Sequence, residues 1–180
     1  HFDFKAEHED LARSLGIPST FVHVPAYFEM FMTFFPPRPA GDGTYVTGFP
    51  QGDTPMASMS VEDVGLIVAP IFEQPEKYIG RTLKLAAEEL PAAAYAEIMS
   101  RATGATIRYE HVPREVFAAL GFRGAEDLAD MWEYYRYHIP SRLRDIETCR
   151  AIAPGMQSFE TWVARNTGKL RALLGHVQAA

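Results

Sequence analysis

The sequence predicts a single α/β or α+β domain, or one domain with part of a second, and three observations support that fold class. The chain has 180 residues, 47% of them hydrophobic, which is enough to bury a sizeable core. Short runs rich in β-branched and aromatic residues alternate with longer segments of helical periodicity. Gly and Pro stand between many of these segments, where they interrupt regular structure.

The first elements follow from local pattern and punctuation. Residues 3–15 are predicted to be a helix that ends before Gly16 and Pro18, with an apolar stripe formed by Phe4, Leu11, Ala12 and Leu15. STFVHV at 19–24 predicts a strand that Pro25 stops. YFEMFMTFF at 27–35 is apolar on nearly every side, which predicts a buried helix.

The middle of the chain continues the alternation. TYVTGF at 44–49 predicts a strand, and PQGDTPMASM at 50–59 predicts a connection. Ser60 followed by Asp63 has the spacing of a capping box, which predicts a helix over 61–73.

The second half repeats the pattern. Strands are predicted at 81–86 and 106–112, and helices are predicted at 91–104, 113–121, 124–138 and 159–174.

Composition excludes several classes of protein. The formal charge of −6 argues against direct nucleic-acid binding, which normally needs a basic surface. The longest apolar stretch, residues 64–72, is too short to span a membrane. Because the only cysteine is Cys149 and no basic, apolar leader opens the chain, we expect a reducing, cytoplasmic location.

The usual catalytic patterns are missing from the sequence. The histidines and the cysteine lack metal-ligand spacing, so no metal site is predicted, and neither GxSxG nor a phosphate-binding glycine motif occurs. Two stretches remain. His1 and Lys5 lie one helical turn apart, where a solvated pair is the common explanation. VPAYFEM at 24–30 is either a ligand-binding edge after a strand or ordinary core.

Four segments taken together resemble the NmrA-like family, whose members are atypical short-chain dehydrogenase/reductase proteins that bind NADP(H). They are HFDFKAEHEDLARSLGIPSTFVHVPAYFEMF, PQGDTPMASMSVEDVG, PEKYIGRTLKLA and FAALGFRGAEDLADMWEYY. The resemblance implies an α/β fold: the C-terminal part of a Rossmann-type domain at 1–75, then a smaller α/β substrate- or partner-binding subdomain at 76–180. The family's glycine-rich dinucleotide loop has no counterpart in this chain.

The resemblance also implies roles for particular residues. Lys5 matches the lysine that bonds the nicotinamide ribose, whereas His1 stands where the dehydrogenase pattern has its catalytic tyrosine. The segment expected along the nicotinamide half of the cofactor is Tyr27, Phe28, Glu29 and Met30; close relatives often have Asn at the last position. Trp132 and Tyr135 are our candidates for the wall of a substrate or partner site.

Three functional hypotheses remain open. The first is an NADP(H)-binding, redox-sensing regulator that acts through a protein partner with weak or no turnover, because His1 replaces the phenol. The second is an NAD(P)H-dependent oxidoreductase, and the third is that this chain alone is a non-binding fragment. Unpaired strand edges and exposed apolar faces, including Phe31 and Phe34, would then make the isolated chain oligomerise or aggregate, and a homodimer is one such form.

Overall fold

The computed structural model describes residues 2–138 and 145–177. Two 3₁₀ helices, Phe28–Phe31 and Val61–Asp63, accompany the longer helices. The α-helices are α1 (Phe2–Ser14), α2 (Val64–Glu73), α3 (Pro75–Tyr78), α4 (Ala92–Thr103), α5 (Arg114–Ala118), α6 (Ala125–Tyr137), α7 (Ile146–Ile152) and α8 (Phe159–Val177). None of these described helices is both long and apolar enough to cross a membrane.

The described strands form three small sheets. The strands are β1 (Phe21–His23), β2 (Ala26–Tyr27), β3 (Arg38–Pro39), β4 (Tyr45–Phe49), β5 (Met56–Met59), β6 (Thr82–Lys84), β7 (Glu88–Leu90) and β8 (Ile107–His111). β1 pairs in parallel with β6. The second sheet has the order β2-β5-β7, and the third has the order β3-β4-β8.

The longest pairing is the parallel ladder between β4 and β8. It runs from Tyr45 opposite Ile107 to Phe49 opposite His111, so the carboxyl ends of both strands lie together. Helix α4 precedes β8 in the chain and ends at Gly104, whose φ of +79° is the left-handed conformation that closes helices. It is the last element of the long connection over residues 50–106, which supplies the crossover that parallel pairing requires.

An aromatic core joins the 3₁₀ turn Phe28–Phe31 and α4 to α8. Phe31, Tyr95 and Phe159 are fully buried, and the ring centroid of Phe159 lies 5.2 Å from that of Phe31 and 4.8 Å from that of Tyr95. Such pairs add roughly 0.5–1.5 kcal/mol each beyond the burial of apolar area. The core therefore draws on the middle and the end of the chain together.

The predicted helix over 27–35 is wrong. β2 ends at Tyr27, and only Phe28–Phe31 is helical, as one 3₁₀ turn. The carbonyl of Met30 then accepts the N–H groups of Thr33, Phe34 and Phe35, at 3.3, 3.1 and 2.8 Å. This turn stops the helix ahead of the prolines at 36–37, which disfavour a helical residue before them.

The predicted connection over 50–59 is also partly wrong, because β5 occupies Met56–Met59. β5 pairs in parallel with β2 and antiparallel with β7. These two neighbours come from distant parts of the chain, so the strand depends on pairing that a local pattern does not indicate.

The helix predicted over 61–73 is present, but the capping box is wrong. The Ser60 hydroxyl accepts the N–H of Glu62 at 3.3 Å, and a 3₁₀ turn precedes α2. The Asp63 carboxylate is buried and instead accepts the backbone and side-chain N–H groups of Gln157, at 2.7 and 3.3 Å. Asp63 therefore joins the start of α2 to the segment before α8.

The expected exposure of apolar residues is only partly correct. Phe31 is fully buried, whereas Phe34 is 78% exposed, because the tight turn after Met30 directs the two rings differently. Among the described residues, β1 has β6 as its one strand neighbour. Helix α1 buries none of its residues, and its predicted stripe is largely exposed.

Candidate functional site

The first candidate residues lie on α1. His1 is outside the described residues. Lys5 is exposed on the first turns of α1. The C-terminal half of the helix is held to the β1–β6 sheet by polar contacts: Glu9 Oε1 lies 2.6 Å from His23 Nε2, and the Arg13 guanidinium donates to Thr82 Oγ1 at 3.0 Å.

The N-terminal end of α1 contacts the C-terminal half of α6. The ring centroid of Phe2 lies 5.7 Å from that of Tyr135 in an edge-on arrangement, and 6.2 Å from that of Tyr134. The structure therefore brings the start of α1, which carries Lys5, to the face of α6 that carries Tyr135.

Trp132 and Tyr135 occupy different surroundings on α6. Trp132 is buried in the core, 5.2 Å from Phe49 and 5.9 Å from Phe35 between ring centroids. Tyr135 is half-buried and lies between Trp132 and Phe2, with its ring centroid 6.4 Å from that of Trp132. Of the two candidates, Tyr135 is the one with a partly accessible ring.

The segment Tyr27 to Met30 divides between surface and core. Phe28 is fully buried against Phe159 and Trp162, and Met30 is also buried. Tyr27 is half-buried; burial, and secondarily the negative charge of Glu29, raise the pKa of its phenol. Tyr27 therefore presents a protonated hydroxyl on its side chain. Phe28 and Met30 can contact a ligand only through their backbone, because their side chains are buried.

Glu29 is the centre of a hydrogen-bond network. Its Oε1 accepts from the Ser60 hydroxyl at 2.8 Å and from the Trp162 indole N–H at 3.0 Å, and its Oε2 accepts from the Val61 N–H at 3.0 Å. Three donors stabilise the carboxylate in place. Sequence reasoning missed Ser60 and Trp162 as its partners, because no local signal relates residues so far apart.

Two other features lie elsewhere in the described part of the chain. A cavity of about 250 Å³ has Lys77, Arg81 and Leu83 among its lining residues, and none of that lining belongs to α1 or α6. No three His, Cys, Asp or Glu side chains in residues 2–138 and 145–177 converge as metal ligands. Among the candidate residues, the ring contact of Phe2 brings the start of α1 to Tyr135 on α6, whereas the Tyr27–Met30 segment packs against Phe159 and Trp162.

Known proteins of the same fold define the class. The structure matches two crystal structures of NmrA, a negative transcriptional regulator, and each match covers 91% of this chain and 57% of the NmrA chain. The first has a sequence identity of 25% and a TM-score of 0.73. The second, a complex with NAD, has a sequence identity of 24% and a TM-score of 0.71. An NADPH-dependent quinone oxidoreductase from Escherichia coli matches at 19% identity and a TM-score of 0.70, over 92% of this chain and 58% of its own. The predicted α/β fold of the Rossmann type is therefore confirmed.

The chain belongs to the NmrA-like family, whose model matches residues 1–156, as predicted from the four segments. The nitrogen metabolite repression protein nmrA of Emericella nidulans is 31% identical over 125 residues, which are 64% of this chain and 36% of that protein. An NmrA-like family domain-containing protein of Dictyostelium discoideum is 27% identical over 118 residues, 61% of this chain and 39% of that protein. The matched region spans less than two-fifths of either relative.

Proposed function

We propose that the protein to which this chain belongs is an NADP(H)-binding, redox-sensing regulator that acts through a protein partner and has weak or no dehydrogenase turnover. The family membership carries this proposal. It is supported by the solved structures of NmrA, one in complex with NAD and one with NADP. A bound cofactor changes a protein's affinity for a partner only if the partner distinguishes the bound and free forms.

The proposed cofactor contacts follow the family pattern. Lys5 holds the nicotinamide ribose, and its exposure on α1 leaves the ammonium free to reach a ligand. Tyr27 and Glu29 lie along the nicotinamide half: Tyr27 contributes its hydroxyl, and Glu29 holds the segment through its network. Phe28 and Met30 contribute backbone contacts, because their side chains are buried. His1 takes the place of the catalytic phenol. This replacement lowers the turnover rate more than it lowers the affinity for the cofactor.

The domain boundary near residue 75 is part of the same proposal. Residues 1–75 would complete a dinucleotide-binding domain, and residues 76–180 would form the smaller α/β subdomain. The Tyr135 ring, reached by Phe2 across this boundary, would then face the cleft between them.

Cofactor binding is tested by titrating NADPH and following nicotinamide fluorescence, first with this chain alone and then with a protein that also contains a family dinucleotide loop. We expect no micromolar binding by the chain alone, and binding by the longer protein that Lys5→Ala weakens. The control is Lys169→Ala, on the exposed face of α8. Equal binding by the wild type and Lys5→Ala would contradict the role of Lys5, and rapid NADPH consumption with a small quinone or carbonyl compound would contradict the regulatory role.

The alternative is an NAD(P)H-dependent oxidoreductase. The observation that favours it is the half-buried Tyr135 ring beside the start of α1, which could form one wall of a substrate site. In that case hydride transfer by the longer protein survives His1→Ala and falls with Tyr135→Ala, while NADPH affinity is unchanged. Parallel losses of activity and cofactor affinity in Tyr135→Ala would argue against a substrate wall.

We also propose that the isolated chain self-associates, with a homodimer as the simplest product. The exposed apolar side chains of α1 and the turn after it support this, since Leu11, Leu15 and Ile17 are each more than half exposed. Sedimentation of the chain at tens of micromolar distinguishes the outcomes: we expect species larger than a monomer, and a single monomeric boundary would contradict the proposal.

A further inference from the structure

The carboxyl ends of β4 and β8 carry a group of polar residues outside the proposed cofactor segment. Ligands in open α/β sheets bind beyond the carboxyl ends of parallel strands. Here Phe49 and His111 are the last paired residues. The Tyr109 hydroxyl donates to the Phe49 carbonyl at 2.7 Å and accepts the Gly52 N–H at 2.8 Å. The phenol therefore holds the turn that follows β4 against β8.

Arg136, from the last turn of α6, lies directly over this turn. A Cβ atom at Gly52 would lie 2.5 Å from Arg136 Nε, so the guanidinium occupies space that only glycine leaves open. The Thr54 hydroxyl also donates to the Arg136 carbonyl at 3.3 Å. The turn therefore positions the guanidinium through contacts with both its side chain and its backbone.

His111 completes a pair of basic groups. Arg136 Nη1 lies 3.3 Å from His111 Nε2. The contact is a hydrogen bond when Nε2 is the acceptor, because a guanidinium only donates. The imidazole therefore lies beside a permanent positive charge.

No carboxylate in the described part of the chain forms an ion pair with Arg136. Arg114 on α5 provides the contrast, since its guanidinium pairs with Asp130 and lies near two further glutamates. Asp53 and Glu110, which adjoin the turn and His111 in sequence, are exposed and do not pair with it. The charge of Arg136 is thus not neutralised by the residues around it.

The turn itself also has an unused acceptor. Gln51 is almost fully buried; its Nε2 donates to the Thr54 and Pro55 carbonyls at 2.9 and 3.3 Å, while its Oε1 has no donor among the described residues. A buried acceptor without a partner costs about 1–3 kcal/mol. An ordered water can supply the missing donor, whereas an anion, which only accepts, cannot.

We propose that Arg136 and His111 form a binding site for the anionic oxygen group, a carboxylate or a phosphate, of a small molecule. An anion would accept from the free N–H groups of the guanidinium and could also be met by a protonated imidazole. The site is next to the start of α1, because Tyr134 and Tyr135, which precede Arg136, contact Phe2. The proposal does not rest on cofactor binding, so it is tested without nucleotide.

The test is to titrate the chain with inorganic phosphate and, separately, with acetate, against sodium chloride at equal ionic strength, following the His111 ring signals by NMR. We expect a saturable shift with at least one anion, at millimolar concentration. In Arg136→Gln, which removes the charge and keeps a polar side chain that reaches only as far as the position of Nε, affinity should fall at least about tenfold, which corresponds to about 1.4 kcal/mol. The matched control is Arg108→Gln. Arg108 lies on β8, the same strand as His111, and its guanidinium pairs with Asp42.

The two anions identify the chemistry of the ligand. Tighter binding of phosphate assigns a phosphate group, and tighter binding of acetate assigns a carboxylate. Absence of a saturable shift with either anion in the wild-type chain overturns the proposal, and so does an equal shift in Arg136→Gln. If Arg136→Gln does not fold, Arg136→Lys supplies the comparison: it keeps the charge and loses the planar fork, and its affinity should lie below that of the wild type.

Discussion

The indole N–H of Trp162 donates to Glu29 Oε1 at 3.0 Å and joins α8 to the short helix after β2. The same carboxylate accepts from Ser60 and Val61, at the start of the segment that leads into α2. One acidic side chain therefore connects three parts of the chain, and this gives Glu29 a structural role beside any contact it makes with a cofactor.

The first prediction concerns this network. Glu29→Ala removes the acceptor of three hydrogen bonds, and we expect the free energy of unfolding to fall by roughly 2–4 kcal/mol, the order of one or two bonds to a charged group. Urea denaturation followed by tryptophan fluorescence measures the change. Glu97→Ala is the control, because Glu97 is exposed on α4. Equal stability of the two variants would show that the network contributes little.

The second prediction concerns Tyr95 at alkaline pH. Its hydroxyl donates to the Met56 carbonyl at 2.9 Å and lies 2.5 Å from the Ser58 hydroxyl, and burial raises the pKa of this phenol far above its usual value near 10. The stability that comes from the neutral phenol is complete below about pH 10. It declines above that pH, because the unfolded chain loses the proton first.

Tyr95→Phe removes the titrating group. We expect it to cost about 1–2 kcal/mol at pH 8, and we expect this difference from the wild type to shrink by up to about 1.4 kcal/mol per pH unit above pH 10. Urea denaturation across pH 8–11 measures both quantities. Ser58→Ala is the control, since it removes a partner and keeps the phenol, so its difference from the wild type should vary little with pH. Parallel curves for the wild type and Tyr95→Phe would contradict the prediction.

The third prediction separates backbone strain from steric conflict at Gly52. Both Gly52, with φ of +61°, and Gly104, with φ of +79°, are in the left-handed region, but a Cβ at Gly104 would meet no atom within 4 Å. Gly104→Ala should therefore cost about 1 kcal/mol from the backbone alone. Gly52→Ala should cost more than Gly104→Ala, because the Arg136 guanidinium, the far end of a flexible side chain, must also shift aside.

A double variant tests this explanation. Combining Gly52→Ala with Arg136→Ala removes the steric conflict, so the combined loss of unfolding free energy should be smaller than the sum of the single losses. Thermal or urea denaturation gives all four values. Additive losses would mean that Arg136 does not pack over Gly52 in solution.

The fourth prediction concerns the attachment of α1. This helix buries none of its residues, and its N-terminal end is held by the contacts of Phe2 with Tyr134 and Tyr135. Phe2→Ala should therefore accelerate amide hydrogen exchange in the first turns of α1 several-fold and leave the global free energy of unfolding nearly unchanged. Leu11→Ala is the matched control, since Leu11 lies on the same helix and is 54% exposed. Similar exchange in the two variants would argue against the α1–α6 contact.

Much of the helical structure was predictable because its signals are local. The predicted helices over 91–104 and 124–138 agree with α4 and α6 to within a residue at each end, where Pro91, Gly104 and Gly124 mark the boundaries. A helix satisfies its backbone within its own segment, so apolar spacing and terminal residues are enough to predict it. The family could also be predicted, because the four segments that resemble it occur in order along the chain. That prediction needed no three-dimensional information.

The tertiary structure alone decided β5, the short helix Phe28–Phe31 and the partners of Glu29. β5 exists because β2 and β7 pair with it, and the carboxylate of Glu29 is held by residues that approach it only in the folded chain. The same holds for Arg136, which the sequence places in an ordinary charged helix end and the fold places over Gly52 beside His111. The sequence by itself determined the longer helices and the family, because those depend on neighbours along the chain. Strand pairing, hydrogen-bond partners and uncompensated charge depend on neighbours in space, so only the folded structure decided them.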